Sequence, residues 1–66
     1  MKLEELFLAC SNMESTDVFD IYVHNGEYYD VKSYIDYYDI PYKYRQAQVF
    51  SFSIGPINKI ILKDKM

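Results

Sequence analysis

The dipeptide Asn25-Gly26 separates two runs rich in β-branched and aromatic residues, DVFDIYVH before it (Asp17 to His24) and EYYDV after it (Glu27 to Val31). Asn-Gly best tolerates the positive φ that both central positions of a type I′ turn require, so the runs are expected to pair as a hairpin with a two-residue loop. Phe19, Ile21 and Val23 alternate with Asp20, Tyr22 and His24, which gives the first strand one core face and one mostly wet face. A two-residue loop sets Val23 opposite Tyr28 and Tyr22 opposite Tyr29. The second of these is an aromatic cross-strand pair contributing up to about 1 kcal/mol.

A second alternation runs from Gln46 to Ile54, with Phe50, Phe52 and Ile54 on one side and Val49, Ser51 and Ser53 on the other. Gly55-Pro56 reads as a turn, and Ile57 to Lys63 as a last strand with Ile60 and Leu62 opposite Lys59, Ile61 and Lys63; Asp64 to Met66 are expected to fray. At the other end, Leu3, Leu6, Phe7 and Cys10 recur at helical spacing with Glu4 and Glu5 near the start, where negative charge suits the helix dipole. This short amphipathic helix should end near Ser11 and Asn12. Between the hairpins, Ser33 and Asp36 resemble a capping box, which predicts a helix of about two turns holding Tyr34, Ile35, Tyr37 and Tyr38. Pro41 ends it: Ile40 is pushed to extended geometry, and Pro41 opens one more short turn through Arg45.

The expected fold is a single α+β domain spanning residues 1–66, with an N-terminal helix on a four-stranded antiparallel sheet of two hairpins and a short helical connection. The predicted apolar face holds Phe19, Ile21, Phe50, Phe52, Ile60 and Leu62. So short a chain buries only roughly 60% of its unfolded surface and needs reinforcement. Cys10 is the only cysteine and His24 the only histidine, so neither an internal disulfide nor a structural zinc site can supply it. Oligomerisation can, as a homodimer or a higher homo-oligomer. Cys10 reads as a packing residue, since no motif places a base beside it.

Lys2, Glu4 and Glu5 break any secretory signal, and no apolar run approaches the roughly 20 residues of a membrane span, so a cytoplasmic setting and no membrane partner are expected. The net charge of −3 is uneven: nine acidic residues against Lys2 and Lys32 up to Tyr42, then five basic residues against Asp64. Either adjacent strands carry opposite charges, or an acidic face of one subunit meets a basic face of another or of a foreign protein. Net acidity argues against a general nucleic-acid binder.

Catalytic motifs are absent from the sequence. His24 has no serine or cysteine at a motif spacing, and two glycines cannot build a phosphate loop. The carboxylates of the first hairpin are the only group numerous enough for metal-assisted chemistry, with Asp17, Asp20 and Asp30 as candidates and Mg²⁺ as the ion. The competing reading is a solvated negative strand face that protects sheet edges. No dedicated metal site and no other cofactor is expected. Tyr42-Lys43-Tyr44-Arg45 interleaves aromatic rings with positive charge, the combination that stacks bases and holds phosphates, or that seals a thin core edge while the charges stay solvated. Seven of the eight tyrosines fall between Asn25 and Tyr44, too many for a core this small. Tyrosine is enriched at interfaces, so Tyr34, Tyr37, Tyr38, Tyr42, Lys43, Tyr44 and Arg45 form the expected partner-binding set.

Taken in order, LEELFLAC, DIYV with its Gly turn, YIDYYDIP, VFSFSI and NKIILK resemble the small proteins encoded by phages and prophages of Gram-positive gut bacteria, among them the PC4-like family of type II anti-CRISPR proteins. The resemblance covers roughly Leu3 to Lys63 and implies a four-stranded, oligomerising protein that protects phage or plasmid DNA from Cas9, linked to altering or nicking supercoiled DNA. It carries no active-site residues over to this chain. Three readings follow: an inhibitor of a host defence nuclease, a weak metal-dependent DNA nickase using the hairpin carboxylates, and a structural or regulatory oligomeric module.

Overall fold

Both hairpins form, but they join through a parallel pair. The computed structural model describes residues 1–24 and 26–63. Helix α1 (Leu3–Ala9) is followed by strands β1 (Val18–His24) and β2 (Tyr29–Tyr34), a 3-10 turn (Tyr37–Asp39), the single helical turn α2 (Tyr42–Arg45), and strands β3 (Val49–Ser53) and β4 (Ile57–Leu62). The sheet order is β2-β1-β4-β3, with β1 antiparallel to β2, β3 antiparallel to β4, and β1 parallel to β4 at the centre. The α+β class and the strand number agree with the sequence reading; the wholly antiparallel sheet is corrected to a mixed one.

The physical reason lies in which strands can be buried. β1 and β4 present Phe19, Ile21, Ile60 and Leu62 to one side, all buried, and so take the middle of the sheet. β2 carries Asp30 and Lys32 and is left at an edge, where charge costs little. β2 and β3 thereby run the same way at opposite edges, and parallel strands need a crossover of a dozen or more residues. Residues 35–48 supply it, with the 3-10 turn and α2 inside it.

These turns and α1 all cover the same face. Leu3 and Leu6 of α1, Met13 of the following loop, and Tyr37 and Ile40 of the crossover close over Phe19, Ile21, Ile60 and Leu62. Cys10 packs against this core half-buried, as expected. α1 starts where the Glu5 carboxylate accepts a 2.8 Å hydrogen bond from the Lys2 amide, and the Leu3 amide donates to the Ala47 carbonyl. Tyr37 is pinned from the other side, its amide donating to the Ser15 carbonyl at 2.7 Å.

Three local expectations are corrected. His24 pairs with Tyr29, so Val23 faces Asp30 and Tyr22 faces Val31, and the loop is four residues long. The Tyr22 and Tyr29 rings still meet, diagonally, at 6.5 Å. Gly26 has φ 106°, in keeping with a glycine-dependent turn, while the type I′ geometry at Asn25 and the fraying of Asp64 to Met66 lie outside the described residues. Ser33 and Tyr34 belong to β2, and the predicted two-turn helix shrinks to the 3-10 turn, capped by the Asp36 carboxylate accepting from the Tyr38 amide at 2.9 Å. Pairing with Asp20 and Phe19 on β1 holds Ser33 and Tyr34 extended. The Pro41 boundary is as predicted: Ile40 is extended and Pro41 precedes α2.

The third concerns β3. A bulge between Val49 and Ser51 resets the alternation. Val49 packs on the core, whereas Phe50 and Phe52, expected inside, are exposed on the edge strand. Asn58, in phase with Ile60 and Leu62, is the fully buried polar residue of the sheet and donates to the Asp17 carboxylate at 3.1 Å.

Candidate functional site

The proline-limited crossover brings four of the predicted residues into one chain of rings. Tyr37 is 2% exposed, and its ring stacks on Phe7 of α1 with 3.8 Å between centroids. Tyr38 meets Tyr37 edge-on at 5.2 Å and Phe7 at 6.3 Å. On the far side the Arg45 guanidinium lies 5.8 Å from the centre of the Tyr37 ring and 5.7 Å from that of Tyr42. The Arg45 Nε also donates to the Ile40 carbonyl at 3.1 Å, so the cation is held in place by its backbone contact and both rings.

Tyr37 is therefore anchor rather than surface, which corrects its place in the partner-binding set, and half-buried Arg45 braces the same stack. The rings left accessible are Tyr38, 64% exposed, and Tyr42, 68% exposed. Burial and the nearby Glu4 carboxylate and Tyr38 push the Tyr37 phenol up, against the opposing pull of Arg45, with burial the largest cause. Its hydroxyl has no hydrogen-bond partner among the described residues. α1 and α2 are further tied by the Gln46 side-chain amide donating to the Glu4 carboxylate at 2.7 Å.

Tyr34 and Tyr44 lie elsewhere. They line an open groove of about 240 Å³ together with Ile21, Val23, Asp30, Val31 and Lys32. Burial first, and the neighbouring Tyr44 second, raise the Tyr34 phenol above its ordinary value. Exposed Lys43 places its ammonium 5.1 Å from the centre of the Tyr44 ring. The expected set thus divides into a backed aromatic pair and a separate groove.

The candidate carboxylates do not converge. The Asp17 carboxylate accepts from the Glu14 amide at 3.0 Å and from Asn58, closing the loop into β1. Asp20 accepts from the Ser33 hydroxyl on the face away from the helices. Asp30 pairs with Val23 on the opposite face of the hairpin. Among the described residues no group of three or more His, Cys, Asp and Glu could hold a metal ion. His24 accepts from the Gly26 amide and rests edge-on against Tyr29.

One feature escaped the sequence reading, and one of the two charge arrangements it offered is met. Phe7 was placed on the core side of α1, but its role as the stacking floor for Tyr37 has no local signal. The sheet face away from the helices carries Val31, Tyr22 and Ile61 in one row and Asp20 beside Lys59 in the next, so opposite charges from the two halves of the chain meet within one copy. No family model, curated protein or solved structure matches the chain. No helix among the described residues is long and apolar enough to cross a membrane.

Proposed function

We propose that this protein acts by binding, presenting Tyr38 and Tyr42 to a partner protein, and that the partner is a host defence nuclease of the Cas9 type inside the bacterial cytoplasm. The observation that carries the binding mode is the backing of the two exposed rings by Phe7, buried Tyr37 and Arg45. Rings already held in place lose little freedom on docking, which removes one of the costs of forming an interface. Tyrosine and arginine dominate interface hot spots.

The choice of partner rests on small size, net acidity and the resemblance to PC4-like anti-CRISPR proteins, whose four-stranded sheet agrees in strand number with the mixed sheet here. An acidic protein can compete for surfaces that bind DNA through positive charge. The deciding experiment mixes the purified chain with Cas9 and guide RNA and measures complex formation, alongside plaque counts for phage challenging cells that express the chain. A stable complex with restored plaques supports the reading; absence of both overturns it. Conversion of supercoiled plasmid to nicked circles in Mg²⁺, abolished by Asp17→Ala, Asp20→Ala or Asp30→Ala, would replace it with the nickase reading.

A further inference from the structure

The two edges of the sheet are guarded unequally. β2 carries Asp30 and Lys32, the kind of edge charge that blocks pairing with another chain. β3 carries none, and no residue from Gln46 to Asn58 is charged. Phe50 is 66% and Phe52 47% exposed on that strand. The edge is nevertheless covered over its first part. The Val49 amide donates to the Met1 carbonyl at 2.8 Å and the Leu3 amide to the Ala47 carbonyl at 3.0 Å, so the N-terminal residues lie along Ala47 to Val49 and stop there. Among the described residues none pairs with the outer side of Phe50 to Ser53.

We propose that this open part of β3 pairs antiparallel with the β3 of a second copy, extending two four-stranded sheets into one of eight strands. A second copy fits where other strands fit less well. Identical antiparallel strands pair about a two-fold axis that sets one residue opposite itself. An uncharged strand meets no like-charge repulsion in that arrangement. The N-terminal cover excludes Val49 from the ladder, so the axis passes at Phe52, with Ser51 opposite the second copy's Ser53. Phe52 then meets Phe52, an aromatic pair on the helix-bearing side beside Ile60. One such contact closes the unguarded edge of both copies, and the charged β2 edges stop further growth. A ladder this short buries less than the roughly 800 Å² per partner of a standard interface, so the dimer depends on concentration.

Sedimentation equilibrium of the full chain over a concentration series tests this, with circular dichroism to confirm folding. The wild type is expected to pass from monomer to dimer, Phe52→Lys to remain monomeric with an unchanged spectrum, and Val31→Lys, on the helix-free face, to dimerise like the wild type. Should Phe52→Lys fail to fold, a second variant decides: Phe52→Cys in a Cys10→Ser background forms a disulfide-linked dimer on mild oxidation, and Val31→Cys does not. A wild type that stays monomeric, a Phe52→Lys dimer, open-ended assemblies, or no Phe52→Cys cross-link would each overturn the inference. The outcome is independent of Cas9: a dimer without affinity for the nuclease refutes only the proposed function.

Discussion

Phe7 and Tyr37, thirty positions apart, stack with 3.8 Å between ring centroids and 6° between planes, and this contact joins the first helix to the crossover between the hairpins. Phe19 closes the cluster edge-on, 5.8 Å from Tyr37 and 6.3 Å from Phe7. In a chain with so small a core, three mutually touching rings contribute a large share of the apolar burial.

Tyr37→Phe is expected to leave stability unchanged or raise it by up to about 1 kcal/mol, because the hydroxyl it removes is buried without a partner among the described residues. Tyr37→Ala is expected to cost about 3–5 kcal/mol by emptying the space between Phe7 and Arg45. Urea denaturation of the two variants measures both, and equal losses would show that the hydroxyl has a partner after all.

Arg45→Lys should destabilise the protein by about 1–2 kcal/mol, since an ammonium can neither lie flat against Tyr37 and Tyr42 nor keep the Nε bond to the Ile40 carbonyl. Its effect on any partner should appear as greater mobility of Tyr42, read by side-chain relaxation in NMR.

Tyr38→Ala and Tyr42→Ala are each expected to cost about 0.5–1 kcal/mol of folding stability, through the lost ring and guanidinium contacts. Each should weaken the proposed Cas9 complex about tenfold or more, as truncation of an aromatic hot spot does. Calorimetric titration against the nuclease checks this, with Tyr28→Ala, equally exposed but on the first hairpin loop, as the control expected to bind normally.

Alkaline pH should unfold the protein through Tyr34 and Tyr37. Burial raises both phenols, so between the unfolded value of 10.0 and the higher folded value the native state binds more protons than the unfolded chain. Stability is then full below pH 10 and falls as pH rises above it. Melting temperatures across that range should decline less steeply in Tyr34→Phe and Tyr37→Phe than in the wild type.

Asp17→Ala should cost about 1–3 kcal/mol, because it leaves the Glu14 amide and the buried Asn58 side chain without their acceptor. The double variant Asp17→Ala with Asn58→Leu should lose less than the sum of the two single changes, and thermal unfolding of the four proteins measures that coupling.

Local chemistry made several elements readable in advance. The spacing of Leu3, Leu6 and Phe7 is helical in the structure, although α1 stops at Ala9 with Cys10 extended rather than near Ser11 and Asn12, Phe19 and Ile21 face inward opposite Tyr22, and Pro41 separates two short turns where φ restriction demands it. Register was less accessible. Asn25-Gly26 marks a hairpin, but a four-residue loop rather than a two-residue one moves every partner on β2 by two positions and keeps each side chain on its expected face. The bulge in β3 had no signature, and it set Val49 on the core; Phe52 keeps the face of its partner Ile60, and Phe50 and Phe52 are exposed because β3 lies at the edge of the sheet.

By itself, then, the sequence determined the N-terminal helix, the four strands, the inward face of β1 and β4, and the crowding of tyrosines beyond what one core can hold, though not the connection between the hairpins. Those follow from period, turn residues and size. Tertiary structure alone decided that β1 lies parallel to β4, because strand order depends on which apolar faces bury most surface together, a comparison between segments some forty residues apart. It also decided which tyrosines serve as anchors and which as surface. Tyr37 and Tyr38 are neighbours of the same chemistry, and only the position of Phe7 across the fold buries one and leaves the other exposed.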